Sequence, residues 1–330
     1  MSFRRIRPDS VARSRASLAC AVTLALAACA SPDARPARGE VGAVSSAATE
    51  TTHVVDDFGD TVALGRHPQR IVSLNPASTE ILFTIGAGAR VVGRTAWDSW
   101  PDDALAVPDL GPGLRPNVEA VLGTRPDLVL LYAAEDNRAA ARALRAAGVQ
   151  TLTLRVDRLA DFARATTLLG RVIGDTAAAA VLRDSVLGTV TRVATAARRA
   201  RGTAPAPTVA WPIGDQPLYV IGGPSFLGEL IDSAGGRNVF GDLAQPSPQI
   251  SFEELLRRDP QVIVAGVASA ARMSRDAKWQ GLRAVREGRV IIADSVRTGR
   301  PGPRLGEAAV WLAAAIADAA NRAPHGDPRP

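Results

Sequence analysis

The stretch Arg70 to Gly93, RIVSLNPASTEILFTIGAGARVVG, constrains the fold more than any other part of the chain. Arg70-Ile-Val-Ser-Leu74 is a short apolar run of strand type. Asn75 and Pro76 then form the pair expected at a helix start, where the missing proline N–H removes no bond. Ile81, Leu82 and Ile85 recur at helical spacing and predict one buried face, with Glu80 turned away from it towards solvent. Gly86 and Gly88 stop the helix, and Val91-Val92-Gly93 opens a second strand. A strand, a helix and a strand joined in this way make a βαβ unit, which requires a parallel sheet with its faces covered.

The same alternation continues on both sides. Val54-Val55 and Thr61–Leu64 flank the turn Asp57-Phe-Gly-Asp60 and predict a small hairpin. Strands are expected near 71–74, 91–94, 128–132 and 151–154, with helices near 76–86, 117–123 and 137–147 between them. Arg158 to Arg201 has only helical periodicity. Gly174-Asp175 restarts the helix, so that residues 175–200 read as one long helix, closed by the Pro-rich Gly202–Pro207. Beyond it, strands are expected near 208–211, 218–221, 261–265 and 289–292, and helices near 224–234, 251–258 and 304–320. A faint internal repeat ties the halves together. Asn117-Val-Glu119 leads to Pro126-Asp-Leu-Val-Leu130, and Ser251-Phe-Glu253 leads to Pro260-Gln-Val-Ile-Val264, with Ser251 and Glu254 placed as a capping box. The expected fold is therefore α/β: two Rossmann-like lobes with mainly parallel sheets, joined by one long helix, with a ligand cleft between the lobes. The first lobe spans residues 53–157, the connecting helical segment 158–202 and the second lobe 203–330.

The N-terminal residues follow different rules. Residues 1–28 read as a cleaved export signal, with a basic start and an apolar run from Leu18 to Leu26. Leu26-Ala27-Ala28-Cys29 resembles a lipobox, which makes Cys29 the expected lipidation site and places the mature protein in the periplasm, anchored to a membrane. Residues 29–52 are rich in Ala, Ser, Pro, Arg and Thr and read as a flexible tether. The formal charge of +6 falls to +2 once the five arginines and one aspartate of the first 28 residues are set aside, which gives no footing for nucleic acid.

Chemical motifs are sparse. The three histidines, His53, His67 and His325, form no cluster with metal-ligand spacing, and there is no nucleophile elbow or phosphate loop. Neither an enzyme nor a metal site is expected. The aromatic residues near strand ends, Trp97, Trp100, Tyr132, Trp211 and Tyr219, suit either the cover of a lobe core or a ligand cleft, since ligands of open α/β sheets sit beyond the carboxyl ends of the strands.

From Arg70 to about Leu312 the chain resembles the class III periplasmic binding proteins that serve ABC importers of cobalamin, siderophores and haem, and within that class the cobalamin receptors look nearest. The resemblance implies a monomeric receptor with no cofactor of its own, which hands a small ligand to an importer permease. It implies cobalamin as the ligand, with haem (ligated by Tyr132 or Tyr219) or a ferric siderophore as alternatives. An enzyme or structural lipoprotein on the same scaffold is the remaining class. The resemblance places Trp97, Tyr132 and Tyr219 in the cleft, with Trp100 and Trp211 as further candidates, and gives Arg297 and Arg300 a ligand-facing loop. Gly113 and Ser247 stand where the cobalamin receptors carry tryptophans. Glu80 and Glu253, one on each lobe, match the segments by which such receptors grip their permease.

Overall fold

Four parallel strands form the first sheet of the computed structural model, which describes residues 52–322. The export signal, Cys29 and all but the last residue of the expected tether lie outside these residues. The strand order is Val91–Gly93, Ile71–Leu74, Leu128–Tyr132, Gln150–Leu154. Successive residues of a strand point to opposite faces, and both faces are covered here. Ile71, Leu128 and Leu130 enter the main core, while Val72, Leu74, Val129 and Leu131 pack on the other side with Leu144. The expected hairpin forms from Thr52–Val55 and Thr61–Leu64. It is tied to the sheet by Asp56, whose carboxylate accepts from Thr153 N at 3.1 Å, Thr153 Oγ1 at 2.7 Å and Arg145 Nη2 at 2.6 Å.

The second sheet is also parallel, in the order Arg237–Asn238, Thr208–Ala210, Val262–Ala265, Val290–Ile292. Val209, Val262 and Val264 face the main core, and Ala210, Ile263 and Ala265 face a separate cluster around Phe240 and Trp279. Leu218–Val220, expected as another strand of the lobe's βα pattern, instead pairs antiparallel with Pro212–Asp215 in a hairpin of its own.

The long helix runs from Thr176 to Arg201, 26 residues, or about 39 Å at 1.5 Å per residue. Its start is fixed as the sequence suggests. Gly174 takes the left-handed conformation at φ 83°, and the Asp175 carboxylate accepts from Ala178 N at 2.8 Å. Val186 and Val190 join the same core as Ile81 of the first lobe and Leu230 and Leu312 of the second, so a single apolar core runs through both lobes.

The opening helix, Pro76–Thr84, corrects one expectation. Ala77 to Leu82 are all buried, including Glu80, whose side chain is 1% exposed. The periodicity argument assumed a helix with one covered face. This helix lies on the first sheet and is capped from the other side by the loop before the last helix, Leu305–Asn321, so its polar side is enclosed as well. Asn75 occupies the N-cap position, but its side chain donates to Leu154 O at 3.1 Å and does not cap the helix.

Candidate functional site

A cavity of about 750 Å³ opens between the lobes. Its walls are the segments at the carboxyl ends of the parallel strands. Tyr132 ends Leu128–Tyr132, Val156 and Asp157 follow Gln150–Leu154, and Trp211 follows Thr208–Ala210. Gly266 and Val267 follow Val262–Ala265, and Ala293 and Ser295 follow Val290–Ile292. Two parallel sheets present their ligand-bearing ends to one space.

The cavity is aromatic and hydroxylic. Tyr132, Trp211 and Phe226 supply flat surface, and Ser247, Ser295 and Thr298 supply hydroxyls. The phenol of Tyr132 donates to Asp157, at 2.9 Å to Oδ1 and 3.1 Å to Oδ2. Burial, together with the negative charge of Asp157, pushes the Tyr132 phenol well above its ordinary pKa, so Tyr132 is a neutral donor. Burial raises the Asp157 carboxyl as well, against the opposing hydrogen bond from Tyr132. No lysine, arginine, histidine, cysteine or methionine is among the described residues that line the cavity. No group of His, Cys, Asp and Glu residues among the described residues could hold a metal ion, and no described helix is long and apolar enough to cross a membrane.

Of the seven residues expected to bind ligand, two line this cavity, Tyr132 and Trp211. Trp97 projects into solvent with 64% of its surface exposed. Tyr219 lies on the outward side of its hairpin strand, between the buried Leu218 and Val220. Arg297 pairs with Asp294 at 3.0 Å and lines a separate groove against the long helix. Trp100 and Arg300 belong to a second construction.

That construction is an ionic clasp across the lobes. The Glu80 carboxylate accepts from Arg304 Nη2 at 2.7 Å and Nε at 3.4 Å, and from Arg300 Nη1 at 3.4 Å. Arg300 also reaches the first lobe at Trp97 O, 2.6 Å, and Ser99 Oγ, 3.3 Å. Arg304 additionally bonds Val296 O, and its guanidinium lies 5.0 Å from the centre of the Trp100 ring. Burial is the largest influence on the Glu80 carboxyl and raises its pKa, with Arg304 and then Arg300 opposing it. Gly302 makes the approach possible, since a Cβ there would stand 2.8 Å from Glu80 Oε2. Glu80 is therefore buried and does not face solvent as expected, and Arg300 is held in the clasp, outside the described lining of the cavity.

On the outer surface, Glu253 is exposed in the first turn of Phe252–Arg258, as expected. Ser251 caps that helix by accepting from Glu254 N at 3.1 Å, whereas the Glu254 carboxylate bonds Arg257 and Arg258 and does not complete a capping box. Glu119 is equally exposed, in the first turn of Val118–Gly123, where Asn117 accepts from Ala120 N at 3.1 Å. In the internal repeat Asn117-Val-Glu119 and Ser251-Phe-Glu253, Glu119 holds the position in the first lobe that Glu253 holds in the second.

The geometry agrees with comparisons to known proteins. A cobalamin-binding protein of Halobacterium salinarum is 30% identical over 273 residues, covering 79% of this chain and 73% of the relative. Among solved structures, a periplasmic haem-binding protein from Pseudomonas aeruginosa superposes with a TM-score of 0.69 at 27% identity, covering 79% of this chain and 96% of that one. The periplasmic vitamin B12 binding protein of Vibrio cholerae shares the fold, with a TM-score of 0.67 at 23% identity over 77% of this chain and 99% of that one. Residues 71–296 match the periplasmic binding protein family, and with its two parallel sheets, joining helix and interlobe cavity this chain belongs to that family of transporter-associated binding proteins, which are not enzymes.

Proposed function

We propose that the chain is a lipid-anchored receptor that delivers a corrinoid, cobalamin foremost, to an ABC importer. The observation that carries this reading is the cavity's chemistry. Its lining offers aromatic surface and hydroxyls but no imidazole, thioether or thiolate, and its phenol is held protonated by Asp157. A metal macrocycle bound here keeps its own axial ligands and is gripped by flat apolar contact and by hydrogen bonds to its periphery. Corrinoids suit this, because their metal arrives coordinated and their edge carries carboxamides. The named ligand of the Halobacterium salinarum relative supports the same choice.

Haem is the second reading, favoured by the Pseudomonas aeruginosa neighbour and by the presence of Tyr132 in the cavity. Ligation of haem iron by Tyr132 requires its proton to leave against the charge of Asp157, which weighs against it. The deciding experiment is a visible-spectrum titration of the purified protein with cobalamin, cobinamide, haemin and a ferric hydroxamate. Saturable binding of the two corrinoids is expected. Saturation by haemin alone, with a charge-transfer band of a tyrosinate complex, would replace the corrinoid with haem.

For the partner, the reading takes Glu119 and Glu253 as the paired contacts with permease cations. Both are exposed, both open a helix, and they lie on different lobes in matching segments. The lipid anchor rests on the Leu26–Cys29 motif.

A further inference from the structure

Among its described lining residues the interlobe cavity holds one acid and no basic side chain. Asp157 is the single ionisable carboxylate among the described lining residues, and its side chain is 37% exposed, within reach of a bound molecule. A carboxylate has about four lone-pair positions on its two oxygens, and the Tyr132 phenol supplies one proton between them. Acceptor capacity therefore remains open towards the cavity. The nearest cation, Arg155, lies at 4.0 Å with 57% of its side chain exposed, and it is not part of the lining. Asp161 and Asp57 add negative charge nearby, partly offset by Arg164, which pairs with them at 3.5 and 2.9 Å. Arginines close in sequence to lining residues are paired with other acids: Arg300 and Arg304 with Glu80, Arg297 with Asp294, and Arg158 with Glu229. Arg272 donates to the lining residue Ser269 at 3.2 Å and is not itself among the lining residues.

We propose that Asp157 is the specificity-determining residue of the cleft: it selects ligands whose edge presents N–H donors and rejects ligands whose edge presents free carboxylates. This rests on the receptor reading above and adds a rule of ligand charge to it. A carboxamide N–H placed against Asp157 makes a charge-assisted hydrogen bond. A carboxylate in the same place meets a like charge with no cation in the lining to relieve it. The hydroxyls of Ser247 and Ser295 donate or accept equally well, so they do not discriminate.

The test compares two corrinoids of one shape and opposite edge chemistry, dicyanocobinamide with its carboxamides and dicyanocobyrinic acid with seven carboxyl groups, titrated by visible absorbance. The wild-type protein is expected to bind the amide at least about a hundredfold more tightly, the factor that follows from one charge-assisted bond gained or one repulsion suffered. Asp157→Asn is expected to bring the ratio to about tenfold or less, mainly by admitting the acid, since an amide both donates and accepts. Tyr132→Phe keeps the carboxylate charged and is expected to keep the ratio wide. Equal binding of the two corrinoids by the wild-type protein overturns the proposal, as does a ratio that Asp157→Asn leaves unchanged. If neither corrinoid binds, the corrinoid reading falls, and the charge rule is decided with haemin and its dimethyl ester. Preference for the ester, lost in Asp157→Asn, upholds the rule; preference for free haemin, or binding of none of the four compounds, overturns it.

Discussion

The clasp and the cavity adjoin through the segment Gly299–Pro301, and each is built on an acid of the first lobe that is treated in the opposite way. Glu80 is sealed from water and receives two arginines from the second lobe. Asp157 stays within reach of solvent and receives a phenol, with Arg155 only at the edge of ion-pair distance. Burying a carboxylate is costly unless it is paired and hydrogen-bonded. In the clasp the two arginines offset that cost and cross-link the lobes. In the cavity the cost is limited by partial exposure, and the acid remains available. The chain thus uses Arg300 and Arg304 for architecture, and no cation is among the described residues that line the cavity. Together with the continuous core and the unbroken long helix, the clasp predicts a receptor whose lobes move little on binding.

The largest expected effect breaks the clasp alone. Arg304→Ala leaves Glu80 buried with only Arg300 at 3.4 Å and should lower the unfolding free energy by about 3–5 kcal/mol in a denaturant titration. The double variant Glu80→Leu with Arg304→Met removes both charges and should lose much less, because an apolar pair of similar volume needs no compensation. If Arg304→Ala costs under about 1 kcal/mol, the pair is solvated in solution and the contrast between clasp and cavity disappears.

This contrast shows where sequence reasoning reaches and where it stops. The long helix was legible to within a residue, because a helical period, an Asp cap and a left-handed glycine are all local signals. The four strands of the first sheet and three of the second were legible for the same reason, whereas the two-residue edge strand Arg237–Asn238 was too short to leave a pattern. Tyr132 and Trp211 were found because strand ends of an open parallel sheet point at the cleft wherever the sheet sits. Glu80 was misplaced because periodicity knows one neighbour, and its second neighbour arrives from a loop 220 residues later in the chain. Asp157 carried no motif at all. An acid just beyond a strand reads as an ordinary turn residue, and only the lack of a cation among the described residues that line the cavity gives it significance. Trp97 and Tyr219 were expected in the cleft by resemblance, but their strand-end positions do not specify which way the side chain leaves the backbone.

A second effect separates the buried acid from the exposed ones. Glu119→Arg with Glu253→Arg should leave the melting temperature and ligand affinity nearly unchanged, since both side chains stand in solvent. The same double variant should reduce ligand-dependent stimulation of the importer's ATPase in membranes by about tenfold or more, because charge reversal at both lobes opposes encounter and register. Full stimulation would remove these two residues from the docking surface, and it would leave the clasp as the one tested role for a glutamate in this chain.

A third effect falls within the cavity. Trp211→Ala should weaken binding of cobinamide by about tenfold or more, as expected for a buried aromatic contact. Trp97→Ala, at an exposed residue outside the lining, should change it by less than about threefold. Thermal unfolding of Trp211→Ala would separate lost stacking from lost fold, as its ring is also part of the core. The reverse ranking would mean that the ligand sits on the rim, towards the clasp.

The smallest effect is a pH slope. Burial raises the Asp157 carboxyl above its ordinary value of 3.8, so between that value and the raised one the folded protein holds more protons than the unfolded chain. Stability contributed by this group is fully present below pH 3.8 and falls as pH rises through the folded pKa, where the half-buried charge must form. Glu80, also raised by burial, titrates in the same direction, so the measurement must be a difference. The unfolding free energy of the wild-type protein minus that of Asp157→Asn should decline from low pH towards neutrality. At 37% side-chain exposure, solvent screening keeps the decline below about 1 kcal/mol. A saturating amide-bearing ligand should flatten it further, since donors placed on the carboxylate favour its ionised form. A difference already flat without ligand would mean that Asp157 is solvated like any surface carboxylate, and the cavity would then lose the one electrostatic feature that sets it apart from the clasp.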